Sequence, residues 1–187
     1  MLTRAARISP SSLADTYPAI VTGYGSLLLK SAHTTPQDQY QAVIDASLTT
    51  AFATVRAAGM NMKTGGSVVL ISSAAALVGL ANHEAIATAK AGIIGLAQSA
   101  ASTYANLNLR FNVVAPGMID TPLTAHLISN ALALSASKAM HALDRIGTPE
   151  DIARAIVFLL HPENNWITGQ VLAVDGGLSR VRSKMKI

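Results

Sequence analysis

The chain has 187 residues, half of them hydrophobic and 13% charged, with a formal net charge of +4 and no cysteine. That length supports one domain, spanning 1–187, with a core of its own. The missing cysteine excludes a disulfide framework and thiolate chemistry. The five histidines, at 33, 83, 126, 141 and 161, show no metal-ligand spacing. Arg180, Arg182, Lys184 and Lys186 account for the whole net charge, so the positive balance belongs to a short basic tail over 180–187. The apolar balance is high for a lone soluble domain and points to surface buried against another subunit or against a missing piece. Residues 1–12 hold basic side chains without an apolar core, so no signal peptide is read. No apolar run reaches a membrane span, and the chain is expected in the cytoplasm.

In chain order, Ser26–Leu29 is the first candidate strand, after an atypical segment over 1–23. Thr35-Pro36-Gln37-Asp38 then supplies a cap residue, a proline for the first helical position and an acid for the first turn. It predicts a helix running to about residue 60. Ser67–Ile71 reads as a buried strand, about 84–104 as a second helix and Phe111–Ala115 as the next strand. Residues 122–143 are helix-prone and expected to lie over a site. Thr148-Pro149-Glu150-Asp151 opens a third helix with a capping-box acid, and His161-Pro162 ends it. Val171–Val174 is the last strand. The strand runs are near-continuously apolar, as suits parallel strands covered on both faces. Strands alternating with helices predict an α/β parallel sheet. No internal repeat or linker interrupts the pattern.

Four motifs in order carry a resemblance. They are Gly65-Gly66-Ser67-Val68-Val69-Leu70-Ile71-Ser72-Ser73, Arg110-Phe111-Asn112-Val113-Val114-Ala115-Pro116-Gly117-Met118-Ile119-Asp120-Thr121-Pro122, Arg145 to Asp151, and Ile167 to Gly177. From about Tyr24 to Ser179 the chain resembles the C-terminal half of a classical short-chain dehydrogenase/reductase. The resemblance implies a truncated Rossmann-type, doubly wound parallel sheet with flanking helices. It implies an NAD(P) cofactor, with Lys90, Pro116, Gly117, Ile119 and Thr121 at its nicotinamide end. It also implies homo-oligomers, dimers or tetramers, built through the helices at about 36–60 and 84–104. No nucleic-acid or membrane partner is expected.

The departures decide the functional expectation. The family holds Ser, Tyr and Lys where this chain has Ser73, Ile86 and Lys90. The tyrosine donates or accepts a proton as carbonyl and alcohol interconvert. The lysine lowers its pKa and binds the nicotinamide ribose, and the serine holds the substrate oxygen. Ile86 and Lys90 share a helix face at i, i+4, but isoleucine has no ionisable proton and cannot act as acid or base. Ser47 stands where the family places an asparagine that holds a relay water. The family's Asn-Asn-Ala-Gly is placed at Lys30-Ser31-Ala32-His33, which puts Ser31 and Ala32 at the cofactor. No glycine-rich dinucleotide turn is found; Gly23-Tyr24-Gly25 comes nearest and is read as a loop. His83 is a weak substitute acid. The expectation is a degenerate homologue with little or no oxidoreductase activity as this chain alone, binding NAD(P) weakly or not at all. The rival expectation is an NAD(P)-dependent oxidoreductase for a carbonyl or alcohol, its cofactor half supplied elsewhere.

Overall fold

The computed structural model describes residues 18–23 and 25–182. Four strands, β1 (Ala19–Thr22), β2 (Gly66–Ile71), β3 (Leu109–Pro116) and β4 (Val171–Val174), pair in parallel and in chain order. Parallel neighbours require crossovers, and helices supply them. Helix α1 (Gln37–Ile44) continues through a wide π turn at Asp45–Thr49 into α2 (Thr50–Asn61), joining β1 to β2. Helix α3 (Glu84–Thr103) joins β2 to β3. Helices α4 (Ala125–Ile128), α5 (Ala131–Met140) and α6 (Pro149–Leu160) join β3 to β4.

The central strands β2 and β3 are apolar on both faces because both faces are covered. Strands β1 and β4 are only part-buried and Leu172 of β4 is exposed, so the expectation of cover on both faces does not hold for β4. Val68, Leu70, Leu109, Phe111 and Val113 pack with Ala51, Val55 and Ala58 of α2 and with Ile93 and Ala97 of α3. Val69 and Val114 project to the other side, onto Leu159 and Leu160 of α6. Each such side chain contributes about 1.5–3 kcal/mol by leaving water, so the centre of the sheet anchors the fold. The small residues of α3 let it lie close: Ala89 and Ala97 are at most 1% exposed.

Polar fasteners complete this frame. Arg110, 5% exposed, donates to the carbonyls of Leu159, His161 and Ile167 and so satisfies the C-terminal end of α6. Asn112 donates to Ile167 O and accepts from Gln170 N, holding the approach to β4. The start of α6 is as the sequence predicts: Thr148 Oγ1 accepts from Asp151 N, and Asp151 accepts from Thr148 N.

Two expectations need correction. The strand beside β2 is Ala19–Thr22, paired from Ala19 with Ser67 to Thr22 with Leu70, and not Ser26–Leu29. The later leucines have other work: Leu27 and Leu29 line a pocket, and Leu28 packs against the Val43 cluster. The first helix opens at Gln37 with Pro36 in the cap position, and the Thr35 hydroxyl donates instead to Ser31 O in the preceding turn. The predicted helical stretch 122–143 forms α4 and α5, separated at Ser129-Asn130, where Asn130 Oδ1 caps Ala133 N. Residues 1–17 of the atypical segment and the tail beyond Arg182 lie outside the described residues.

Candidate active-site pocket

At the C-terminal ends of the strands lies a cavity of about 850 Å³, the place where parallel α/β sheets bind ligands. Its floor is assembled from β2 and α3. Lys90 is 7% exposed, and its Nζ donates to Ile71 O at 3.0 Å. Ser72 Oγ donates to Lys90 O at 2.8 Å, so the strand end and the helix are tied together twice. Burial holds the Lys90 ammonium down to a pKa of about 8. Ser73 lies on the pocket wall, its Oγ accepting from Ala75 N at 3.2 Å.

Ile86 lies on the same wall, one helical turn before Lys90, and is 5% exposed. It packs with Val43, Ala85 and Ala89 and with Tyr40, Ile44 and Leu48. Its side chain therefore completes an apolar cluster behind the pocket and offers only hydrocarbon in front. His83 precedes α3 on the pocket wall; its Nδ1–H donates to Ala81 O at 2.7 Å, leaving Nε2 as the basic nitrogen.

Ser47 sits in the π turn and is fully buried, its Oγ without a hydrogen-bond partner. π turns of this kind often mark functional sites. A Cβ on Gly25 would stand 3.1 Å from Lys90 Nζ and 3.6 Å from Ser47 Oγ, so a glycine here lets the chain after β1 approach both groups. Ser47, Lys90 and Gly25 converge at one point. Ser31 and Ala32 do not join them: they lie past the pocket, in the short turn before α1, and Ala32 is exposed. The misplacement follows from the misplaced strand. After β1, Gly23, Gly25 and Ser26 line the pocket, and the strand before them is signalled in the sequence by the run Ala-Ile-Val-Thr between Pro18 and Gly23.

Pro116, Gly117, Ile119 and Thr121 all line the pocket. What holds them is a residue the sequence did not single out. His141, 4% exposed at the end of α5, donates from Nδ1 to Ser137 O and accepts from Met118 N at Nε2. Gly117 can carry no side chain there, since a Cβ would lie 2.6 Å from His141 Nε2. Helix α5 is thereby riveted to the loop after β3. Asp175, in contact with the same loop, is pushed up by burial, yet hydrogen bonds from Ser179 and Gly177 outweigh this and keep its carboxyl below the ordinary range.

The residues present fit one end of a nicotinamide cofactor. Lys90 offers an ammonium on the pocket wall, and Gly25 carries no side chain to crowd its Nζ, which a Cβ there would approach to 3.1 Å. Among the described residues no helix begins directly after a glycine-rich turn.

Comparison with known proteins places this architecture. The family model described as Enoyl-(Acyl carrier protein) reductase matches residues 19–179. The 3-oxoacyl-(acyl-carrier-protein) reductase of Thermotoga maritima is 41% identical over 113 residues, 60% of this chain and 45% of that protein. The inactive 2-(S)-hydroxypropyl-CoM dehydrogenase 2 of Xanthobacter autotrophicus is 34% identical over 167 residues, 86% of this chain and 70% of that protein. A solved 4-hydroxyisoleucine dehydrogenase mutant, complexed with NADH and succinate, superposes with a TM-score of 0.84 at 28% identity over 89% of this chain and 70% of its own. The chain spans about half the length of the first curated relatives it matches. The ordered match along nearly the whole described chain, together with the parallel sheet and the Ser73–Lys90 pocket, establishes that the chain belongs to the short-chain dehydrogenase/reductase family.

Proposed function

We propose that this chain is a degenerate member of the family, with little or no oxidoreductase activity by itself, whose retained fold serves a structural or interaction role. One observation carries the reading: Ile86 occupies the helix position that faces the pocket one turn before Lys90, and it is packed as core. Carbonyl reduction and alcohol oxidation both move a proton at the substrate oxygen, and a positioned acid or base contributes about 10²–10⁴-fold to such a step. Ser73 can orient an oxygen and Lys90 can hold a positive charge beside it, but neither replaces the missing phenol. That a relative of 34% identity is described as inactive agrees with loss of chemistry on a retained fold.

In this reading NAD(P) binding is weak, because the described residues serve the nicotinamide end alone. The chain assembles as a dimer or tetramer through α1–α2 and α3. The exposed Phe52 and Met60 on α2 and the open surface at Gly95 on α3 support contact there.

A second reading has one observation in its favour. His83 lines the pocket with Nε2 as its basic nitrogen, so an oxidoreductase completed by a cofactor half from elsewhere has a substitute for the phenol. Assay of the parent chain and Ile86→Tyr with ketones and secondary alcohols and with NAD(H) and NADP(H) separates the two. Neither protein is expected to turn over. Turnover by the parent, abolished by His83→Ala, establishes the second reading. Turnover gained only with Ile86→Tyr shows that a hydride carrier is held after all and refutes weak nucleotide binding.

A further inference from the structure

We propose that the pocket beside Lys90 binds an unbranched, medium-chain carboxylate, its chain along the apolar wall and its carboxylate on the Lys90 ammonium. The inference rests on the reading that Ile86 has withdrawn proton transfer from this pocket, and it names what the remaining surface recognises.

The wall is hydrocarbon from four directions: Leu27 after β1, Ile86 on α3, Leu127 on α4 and Ile156 on α6, with Leu80 and Met140 near them. Its volume, about 850 Å³, falls in the usual range for a small-molecule site, and a ten-carbon chain fits with room to spare. Into this surface projects a single full charge. Among the lining residues Lys90 is the one lysine or arginine, and none is an aspartate or glutamate. A desolvated ammonium whose donors are only partly used, one of them on Ile71 O, gains most from an anion that restores the lost solvation. A neutral alcohol or ketone restores much less.

Two hydroxyl-bearing residues, Ser26 and Ser73, also line the pocket. Ser73 Oγ accepts from Ala75 N, which leaves its own hydrogen free to donate to a carboxylate oxygen. Ser26, also on the wall, has a buried Oγ with no hydrogen-bond partner. An unpaired buried hydroxyl is costly. A lone cation in a hydrocarbon cavity is complementary to a carboxylate on an alkyl chain.

Calorimetric titration of the intact chain at pH 7 with sodium decanoate, decan-1-ol and methyl decanoate is the test. Decanoate is expected to bind with a dissociation constant at or below about 50 μM, at least tenfold tighter than the alcohol or the ester. Lys90→Met is expected to weaken decanoate at least tenfold while leaving decan-1-ol unchanged, and Lys90→Arg to keep most of the preference. Unchanged decan-1-ol binding shows that the Met variant retains the pocket. Absence of decanoate binding, equal affinity for acid and alcohol, or a preference that survives Lys90→Met overturns the proposal. Decanoate offers no ketone or hydroxyl to a nicotinamide, so its binding and the turnover assays above fail or succeed independently.

Discussion

Lys90 should make the fold less stable at neutral pH than a neutral side chain of similar length would. Its pKa falls from 10.5 to about 8, with burial as the cause, and each unit corresponds to about 1.36 kcal/mol. Holding the charge in the folded state therefore costs about 3 kcal/mol at pH 7. Lys90→Met keeps an unbranched chain of similar reach but leaves Ile71 O without its donor, which costs about 1 kcal/mol. The variant should be stabilised by about 2 kcal/mol at pH 7, raising the melting temperature by roughly 4–8 °C in a chain of this size. The pH dependence has a definite sign. Below pH 8 folded and unfolded states both carry the proton, and the cost is fully present. Between pH 8 and about 10.4 the folded state releases it first, so the unfolded state binds more protons and the parent gains stability as pH rises. The variant has no such gain, and its advantage should vanish by pH 10.5. Urea denaturation of both proteins at pH 7 and pH 10.5 measures this. A variant destabilised by more than about 1 kcal/mol at pH 7, or an advantage unchanged at pH 10.5, would refute the account of Lys90 as a charge held against its solvation.

Titration of the parent chain with NAD⁺, NADH, NADP⁺ and NADPH should give dissociation constants weaker than about 10 μM, because helix-terminal N–H groups for a pyrophosphate are not found among the described residues. Light scattering at micromolar concentration should report a dimer or tetramer; a clean mass near the 19.4 kDa of one chain would remove assembly through α1–α2 and α3. Thr148→Ala should cost about 1 kcal/mol by deleting the capping hydroxyl of α6, seen as a melting temperature lower by roughly 2–4 °C; no change would mean that Asp151 and Pro149 suffice to start the helix.

What the sequence determined by itself was whatever depends on short-range pattern. The continuous apolar runs of β2 and β3 foretold strands buried on both faces, since a parallel sheet with helices on each side leaves no polar face at its centre; the run of β4 foretold a strand but not its partial exposure. Thr148-Pro149-Glu150-Asp151 foretold the start of α6, since capping is a local exchange of hydrogen bonds. The spacing of Ile86 and Lys90 placed both on one face of α3, since the helix repeat fixes it. The tertiary structure alone decided the rest. Apolar residues at 19–22 and 26–29 are equally strand-like in isolation; pairing with Ser67–Leu70 chooses the first, and the pocket and the Val43 cluster claim the leucines of the second. That choice moves the approach to Lys90 from Ser31 and Ala32 to Gly25, and no local pattern contains it. Nor does any local pattern reveal His141, a lone histidine at a helix end, as the group that holds Met118. Its role arises because β3 and β4 bring distant segments to one sheet edge, and contacts between segments far apart in the chain are set by packing and not by periodicity.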